Sequence, residues 1–179
     1  MRIIGGRLKG RRLAGVKGLM RPTADRVREA IFNILGGAVE GAQVLDLFAG
    51  SGALGIEALS RGAASCTFVD ADERSLKVVR NNVLSVGFAG RSRVKRLTLP
   101  SGLERLGESE SAYDVVFADP PYDFVHYPRL LEALGQGILA RDGLAIIEHA
   151  SPAPLEPPVG PLVKVREERY GDTMLTFFS

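Results

Sequence analysis

Tryptophan is absent from this 179-residue chain, cysteine occurs once, histidine twice, and aromatic residues make up only 7%. A lone Cys66 excludes an internal disulfide, and two isolated histidines, His126 and His149, exclude a structural zinc site of ordinary composition. No metal is therefore expected, and all three read as packing or surface residues. No apolar run approaches the ~20 residues a membrane span requires. Met1 is followed by a polar, basic, glycine-rich stretch unlike a signal peptide. The expectation is a reducing, cytoplasmic, globular protein. No exposed heptad suggests a dimer, so a monomer is expected. A chain of this size buries roughly 70% of its unfolded surface, and with 45% hydrophobic residues it needs no staple to fold.

Net charge is small as well, +2, but unevenly spread. Residues 1–28 carry nine basic side chains (Arg2, Arg7, Lys9, Arg11, Arg12, Lys17, Arg21, Arg26 and Arg28) against Asp25, a surplus of eight, which leaves the rest of the chain at −6. A basic end on an acidic body suits a polyanionic partner. Ile3, Ile4, Leu8, Leu13, Val16, Leu19 and Met20 give this arm apolar residues to dock with, and Gly5-Gly6 predicts a tight hairpin turn. Arg21-Pro22-Thr23 reads as an extended residue before proline and then a helix N-cap. Val27, Ile31, Ile34 and Leu35 follow at helical spacing until Gly36-Gly37. The expected organisation is an arm and amphipathic helix over 1–37 and a Rossmann-like domain over 38–179, forming one globular unit.

Beyond the helix the pattern alternates. Strands are predicted over Gln43 to Phe48, Ser65 to Val69, Arg93 to Leu97, Tyr113 to Ala118 and Leu144 to Glu148; helices near Gly52 to Ser60, Asp72 to Val86, Ser101 to Leu106 and Pro128 to Leu134. Repeated strand–helix alternation means βαβ units and a mostly parallel α/β sheet covered on both faces. Five prolines between Ser151 and Pro161 make a loop, after which Leu162 to Tyr170 and Thr173 to Phe178 flank Gly171-Asp172 as an antiparallel hairpin.

The first strand–helix junction places Gly50, Gly52 and Gly55 at the G-x-G-x-x-G spacing that lets backbone approach a ligand closely. Asp70, at the end of the second strand, is placed to accept ribose hydroxyls. These features favour an adenosine-containing cofactor but do not choose between NAD and S-adenosylmethionine. Asp46, just before the glycines, would repel a pyrophosphate and suit the ammonium of a methionine moiety; equally, it can cap backbone amides of the turn with either cofactor.

After the fourth strand the chain reads Asp119-Pro120-Pro121-Tyr122. Two prolines remove two backbone donors and stiffen the loop, leaving acceptors free. The Asp119 carboxylate and the Pro120 carbonyl can hold the hydrogens of one amino group, while Tyr122 offers a stacking platform for a planar base. An exocyclic amine oriented in this way directs its lone pair at a sulfonium methyl, and the acceptors stabilise charge developing on nitrogen.

This block, together with Asp46 to Gly52, resembles class I S-adenosylmethionine-dependent methyltransferases acting on base amines. With Arg2-Ile3-Ile4-Gly5-Gly6, Gly10-Arg11, Arg21-Pro22-Thr23, Asp25 to Glu29, Phe32-Asn33 and Glu57 to Arg61, the chain resembles the RsmD family of bacterial 16S ribosomal RNA guanine-N2 methyltransferases. The resemblance implies a Rossmann-like seven-strand sheet, S-adenosylmethionine as cofactor, and a guanine of small-subunit rRNA as target, in assembled or assembling particles. It implies cofactor roles for Asp46, Ala49, Gly50, Ser51, Gly52 and Asp70. Asn33 is a further cofactor candidate, or a polar residue of an amphipathic helix. Catalytic roles fall to Asp119, Pro120, Pro121 and Tyr122, and RNA contacts to Arg7, Lys9, Arg11, Arg12, Arg21 and Arg26. The chain departs from the pattern after the third strand, where relatives place an acid or Asn against adenine; Thr98-Leu99-Pro100 stands there, leaving Thr98 or backbone amides for that contact.

Other classes explain less. A DNA adenine enzyme would need a recognition domain, a protein glutamine enzyme usually carries Asn in place of Asp119, an NAD oxidoreductase explains only the glycines and Asp70, and a plain RNA-binding module leaves Asp119 to Tyr122 unexplained.

Overall fold

Period-two alternation in the apolar runs becomes two hydrophobic layers on a single sheet. The structure, a computed structural model, describes residues 1–16, 24–103, 106, 112–150, 155–156 and 161–179. Its elements are α1 (Ala24–Leu35), β1 (Gln43–Leu47), α2 (Ala53–Ser60), β2 (Ser65–Asp70), α3 (Glu73–Ser85), β3 (Ser92–Arg96), β4 (Tyr113–Ala118), α4 (Tyr127–Ala133), β5 (Leu139–Ala150), β6 (Lys164–Tyr170) and β7 (Thr173–Phe178). The seven strands follow the order β3-β2-β1-β4-β5-β7-β6. The first five are parallel, and β7 pairs antiparallel with both β5 and β6.

Successive side chains in a strand face opposite sides of the sheet. Val44, Val115, Phe117, Ile146 and Phe177 pack with α1, α2 and α3, whereas Leu45, Val116, Ala118, Ile147 and Phe178 pack with α4. Gly55 matters for the first layer: a Cβ there would sit 2.4 Å from the Phe68 ring and 2.5 Å from the Cys66 sulfur, so only glycine lets α2 lie this close to β2. The charged edge strand β6, with Arg166, Glu167, Glu168 and Arg169, discourages edge-to-edge association.

Two expectations need correction, and a third holds in part. β5 starts at Leu139, five residues before the predicted run, because Arg141, Asp142 and Gly143 interrupt the apolar pattern while the backbone continues beside β4 with an irregularity between Tyr113 and Val115. Of the predicted helix over Ser101 to Leu106, Leu106 is helical while residues 101–103 are turns, where the Thr98 carbonyl accepts from the Gly102 amide at 2.8 Å; residues 104 and 105 lie outside the described residues. The arm does reverse on itself, with an antiparallel bridge between Arg2 and Arg12. The turn is not confined to Gly5-Gly6 but runs through a short 3-10 segment, Gly6–Leu8, to Gly10. Gly6 is needed for another reason: a Cβ on it would come within 2.0 Å of the Ser60 carbonyl oxygen. The predicted cap at Thr23 lies outside the described residues.

Buried polar side chains hold the arm down. Glu57, on α2 and 1% exposed, accepts the Ile4 amide at 2.8 Å and the Gly5 amide at 2.7 Å. Ser60 accepts the Leu8 amide and donates to the Gly5 carbonyl. Arg28, buried on α1, donates to the Arg2 carbonyl at 2.7 Å and pairs with Asp25 at 2.9 Å. Ile3 and Leu13 enter the core cluster beneath α1.

Candidate active site

Ligand sites in open α/β sheets lie beyond the carboxyl ends of the strands, at the point where the strand order reverses. Here that point is between β1 and β4. After β1 the backbone turns sharply through Phe48 (φ 57°), Gly50 (φ 55°) and Gly52 (φ 77°), all in the left-handed region. Phe48 is the one non-glycine residue there with positive φ, a strained position of the kind that clusters at functional sites.

Two acids hold the turn. Asp70 accepts the Gly50 amide on one oxygen at 2.9 Å and the Asp72 amide on the other at 2.8 Å. Asp46 accepts the Gly55 amide, in the first turn of α2, at 2.9 Å. Asp46 thus does cap a backbone amide, which leaves its second oxygen for a further partner. It is 2% exposed, and burial above all pushes its pKa up to about 8; the Gly55 hydrogen bond opposes the rise, while the negative charges of Asp119 and Asp70 add to it. Ala49 is fixed at both ends, its amide on the Val69 carbonyl and its carbonyl under the Gly52 amide. The Ser51 carbonyl accepts from Asn82, and its hydroxyl donates to the Met1 sulfur at 3.6 Å.

Next to Asp70 an open groove of about 420 Å³ is lined by Arg96, Leu97, Thr98, Ser101 and Gly102. The Leu97 amide donates to the Asp70 carbonyl, which joins this groove to the glycine turn. Thr98 is therefore in place to line a planar group. Asn33 is exposed on α1 and makes no hydrogen bond to the turn; its neighbour Phe32 is the buried one, with its ring 5.6 Å from that of Phe117.

Asp119 directly follows β4, with Pro120 buried and Pro121 and Tyr122 exposed. The Phe124 amide donates to the Pro121 carbonyl at 2.9 Å and closes a turn that presents Tyr122, 60% exposed, at the rim. Asp119, Pro120 and Tyr122 line one cleft with Tyr127, Glu148, His149, Ala150 and Thr173. The negative charge of Asp119, second to burial, raises the pKa of the Tyr127 hydroxyl. His149 shares a 2.8 Å hydrogen bond with the Thr176 hydroxyl, and burial lowers its pKa. Rings stack edge to face from Phe48, just after β1, to Phe124 to Tyr127 on α4.

Tyr127, Glu148, His149 and Thr173 escaped the sequence reading. Glu148, His149 and Thr173 enter the cleft through pairing of β5 with β4 and β7, and Tyr127 from the start of α4, which no local pattern announces. Arg7, Lys9, Arg11, Arg12 and Arg26 are exposed on the arm and α1, with the Arg11 guanidinium also donating to the Ser85 carbonyl at 3.2 Å. Arg21 lies outside the described residues.

Comparison with known proteins gives a family model, described as conserved hypothetical protein 95, that matches residues 1–179. A Bacillus subtilis protein named "Putative rRNA methyltransferase YlbH" is 39% identical, across 99% of this chain and 98% of its own length. Ribosomal RNA small subunit methyltransferase D of Escherichia coli K12 is 46% identical over 125 residues, which span 68% of this chain and 60% of that enzyme. Among solved structures, one titled "Putative methyltransferase yhhF from Escherichia coli" superimposes with a TM-score of 0.87 at 35% identity, covering 99% of this chain and 96% of that one.

Proposed function

The chain belongs to the conserved hypothetical protein 95 family, and we propose that it is an S-adenosylmethionine-dependent methyltransferase acting on the exocyclic N2 amine of a guanine in 16S ribosomal RNA. Its setting is the cytoplasm, its partner the assembled or assembling small subunit, and its working state a monomer. The methyltransferase reading agrees with the names of the relatives that align along the chain.

One observation carries the cofactor assignment: the acids Asp46, Asp70 and Asp119 converge at the ends of β1, β2 and β4. A dinucleotide would bring its pyrophosphate to the start of α2. Here the buried Asp46 carboxyl already takes the Gly55 amide, and two more acids stand near it. A ligand with an ammonium and a sulfonium is favoured at the same place by the same charges. The residues present fit it: Asp46 for the ammonium, the positive-φ backbone at Gly50 and Gly52 for close approach, Asp70 for the ribose, the groove at Thr98 for adenine.

Bound there, S-adenosylmethionine supplies a sulfonium methyl whose C–S bond breaks as the N–C bond to the guanine amine forms, leaving S-adenosylhomocysteine and an N-methylated base. The chain's own residues prepare the amine. Asp119 and the Pro120 carbonyl accept its hydrogens, turning the nitrogen lone pair away from ring conjugation and toward the methyl. Asp119 also stabilises the positive charge that grows on nitrogen. That nitrogen becomes strongly acidic once methylated, so its proton passes to water or through Asp119 without a strong base. Tyr122 stacks on the base, and the exposed arginines and lysine of the arm hold phosphates.

The test is to incubate the protein with methyl-labelled S-adenosylmethionine and, separately, naked rRNA, small subunits, DNA and protein. Label recovered as N2-methylguanosine from 16S rRNA is the expected result; label in adenine or protein would overturn the reading.

A further inference from the structure

Asp46 and Asp119 are not the only carboxylates facing the ends of the central strands. β4 and β5 run in the register Phe117 to Ile146 and Ala118 to Ile147. Continued one residue past the end of β4, that register sets Asp119 opposite Glu148, with the strands about 4.8 Å apart. Alternation puts the two side chains on one side of the sheet, the side on which Phe117 and Ile146 pack. Both line the same cleft, with Tyr122 at its rim. Glu148 is half-buried, just past the fully buried pair Ile146 and Ile147, where a carboxylate is costly to desolvate.

We propose that Glu148 reads position N1 of the target base and makes the site selective for guanine; this rests on the base-amine reading above. Asp119 cannot discriminate, since guanine, adenine and cytosine all carry an exocyclic amine. They differ in the ring nitrogen beside that amine. In guanine N1 carries a hydrogen, so its Watson–Crick edge offers adjacent donors at N1 and N2. With the amine on Asp119, the N1–H donates to Glu148 on the neighbouring strand. In adenine the adjacent N1, and in cytosine N3, is an acceptor. Set against a carboxylate, it leaves two lone pairs facing each other and a desolvated group without a partner. Selectivity thus comes from the sign of one hydrogen bond, the kind of contact a pocket enforces best.

2-Aminopurine separates the two contacts, because it keeps the amine at C2 but has an acceptor at N1. RNA carrying guanine or 2-aminopurine at the position located by labelling is offered to the wild-type enzyme and to Glu148→Gln, and kcat/KM is read for each. Wild type is expected to favour guanine by roughly tenfold to a hundredfold. Glu148→Gln, whose amide can donate to N1, is expected to lose activity on guanine and gain it on 2-aminopurine. A gain on one substrate cannot come from poor folding, and S-adenosylhomocysteine binding checks the fold independently. The same preference in both proteins overturns the inference. Absence of methylation on any guanine overturns the functional reading instead, so the two failures are distinct.

Discussion

Asn82 donates its side-chain amide to the Ser51 carbonyl at 2.9 Å, and the same side chain accepts from the Ala14 amide at 2.8 Å and donates to the Ala14 carbonyl at 3.0 Å. One residue of α3, 2% exposed, thereby ties the end of the arm to the glycine turn. Asn82→Asp keeps the acceptor for Ala14 but loses both donors and sets a charge against two carbonyls. The expected cost is about 1–3 kcal/mol in denaturant unfolding. S-adenosylhomocysteine should also bind more weakly in calorimetry, since Ser51 is no longer fixed. Unchanged affinity would mean that Asp46 and Asp70 hold the turn unaided.

Glu57 is the second tether. It accepts two arm amides and the Arg61 guanidinium at 2.8 Å, and lies 3.9 Å from the buried Nε of Arg28, an atom without a hydrogen bond among the described residues. Glu57→Ala leaves Arg28 buried with half-exposed Asp25 as its remaining ion-pair partner. Breaking a buried pair from one side costs about 3–5 kcal/mol. The expected result is a lower unfolding midpoint together with faster tryptic cleavage within residues 1–14. Wild-type cleavage rates would show that the arm is held by its apolar contacts alone.

The parallel sheet, the glycine turn and the Asp119 loop were legible because each is written in consecutive residues: alternation, glycine spacing, an acid before two prolines. The arm's docking was half legible. Ile3 and Leu13 announced an apolar face, but Glu57, Ser60 and Asn82 find their arm partners 52 to 68 positions away and look like ordinary polar positions on helices. Glu148 and His149 were hidden in the same way, since their place in the cleft follows from β4–β5 and β5–β7 register. Asp46 was ambiguous in sequence, and the structure shows why: one oxygen caps Gly55, and the buried carboxyl still faces two other acids.

That burial makes Asp46 a source of pH dependence. Its pKa rises from 3.8 to about 8 in the folded protein. The folded state therefore keeps a proton that the unfolded chain releases; this favours folding fully below about pH 4 and is lost as pH rises through about 8. Stability of the cofactor-free protein is expected to fall across that window by an amount that Asp46→Asn, neutral throughout, removes. An approaching ammonium should displace the same proton. Calorimetry at pH 7 in buffers of different ionisation enthalpy is expected to report release of up to about one proton per S-adenosylmethionine bound, and none in Asp46→Asn. Binding without proton release in the wild type would place the ammonium away from Asp46.

Asp119 is expected to act on the transition state more than on cofactor affinity. Asp119→Ala is expected to cut kcat by roughly a hundredfold or more, as loss of a preorganised contact to developing charge does. S-adenosylhomocysteine affinity should stay close to wild type. Methyl transfer at a near-normal rate would end the amine-orienting role. Tyr122→Ala should slow transfer through lost stacking, and Tyr122→Phe should be mild.

The arm's docking and its proposed hold on RNA separate by atom. Its tethers use backbone groups of Ile4, Gly5, Leu8 and Ala14, whereas the side chains of Arg7, Lys9, Arg11 and Arg12 are exposed. Replacing these four with Gln therefore strips the basic face and leaves the docking intact, apart from the Arg11 contact to Ser85. Four phosphate contacts at about −0.7 each give a log-affinity slope against log salt of roughly −3. The quadruple variant is expected to flatten that slope and weaken RNA binding while S-adenosylhomocysteine binds as before. The acidic remainder of the chain repels nucleic acid that its own cleft must receive, so the loss should be largest at low salt, where the arm's attraction is least screened. An unaltered slope would leave the arm as a structural flap across α2 and α3, and would move the search for the phosphate-binding surface to Arg26 and the exposed face of α1.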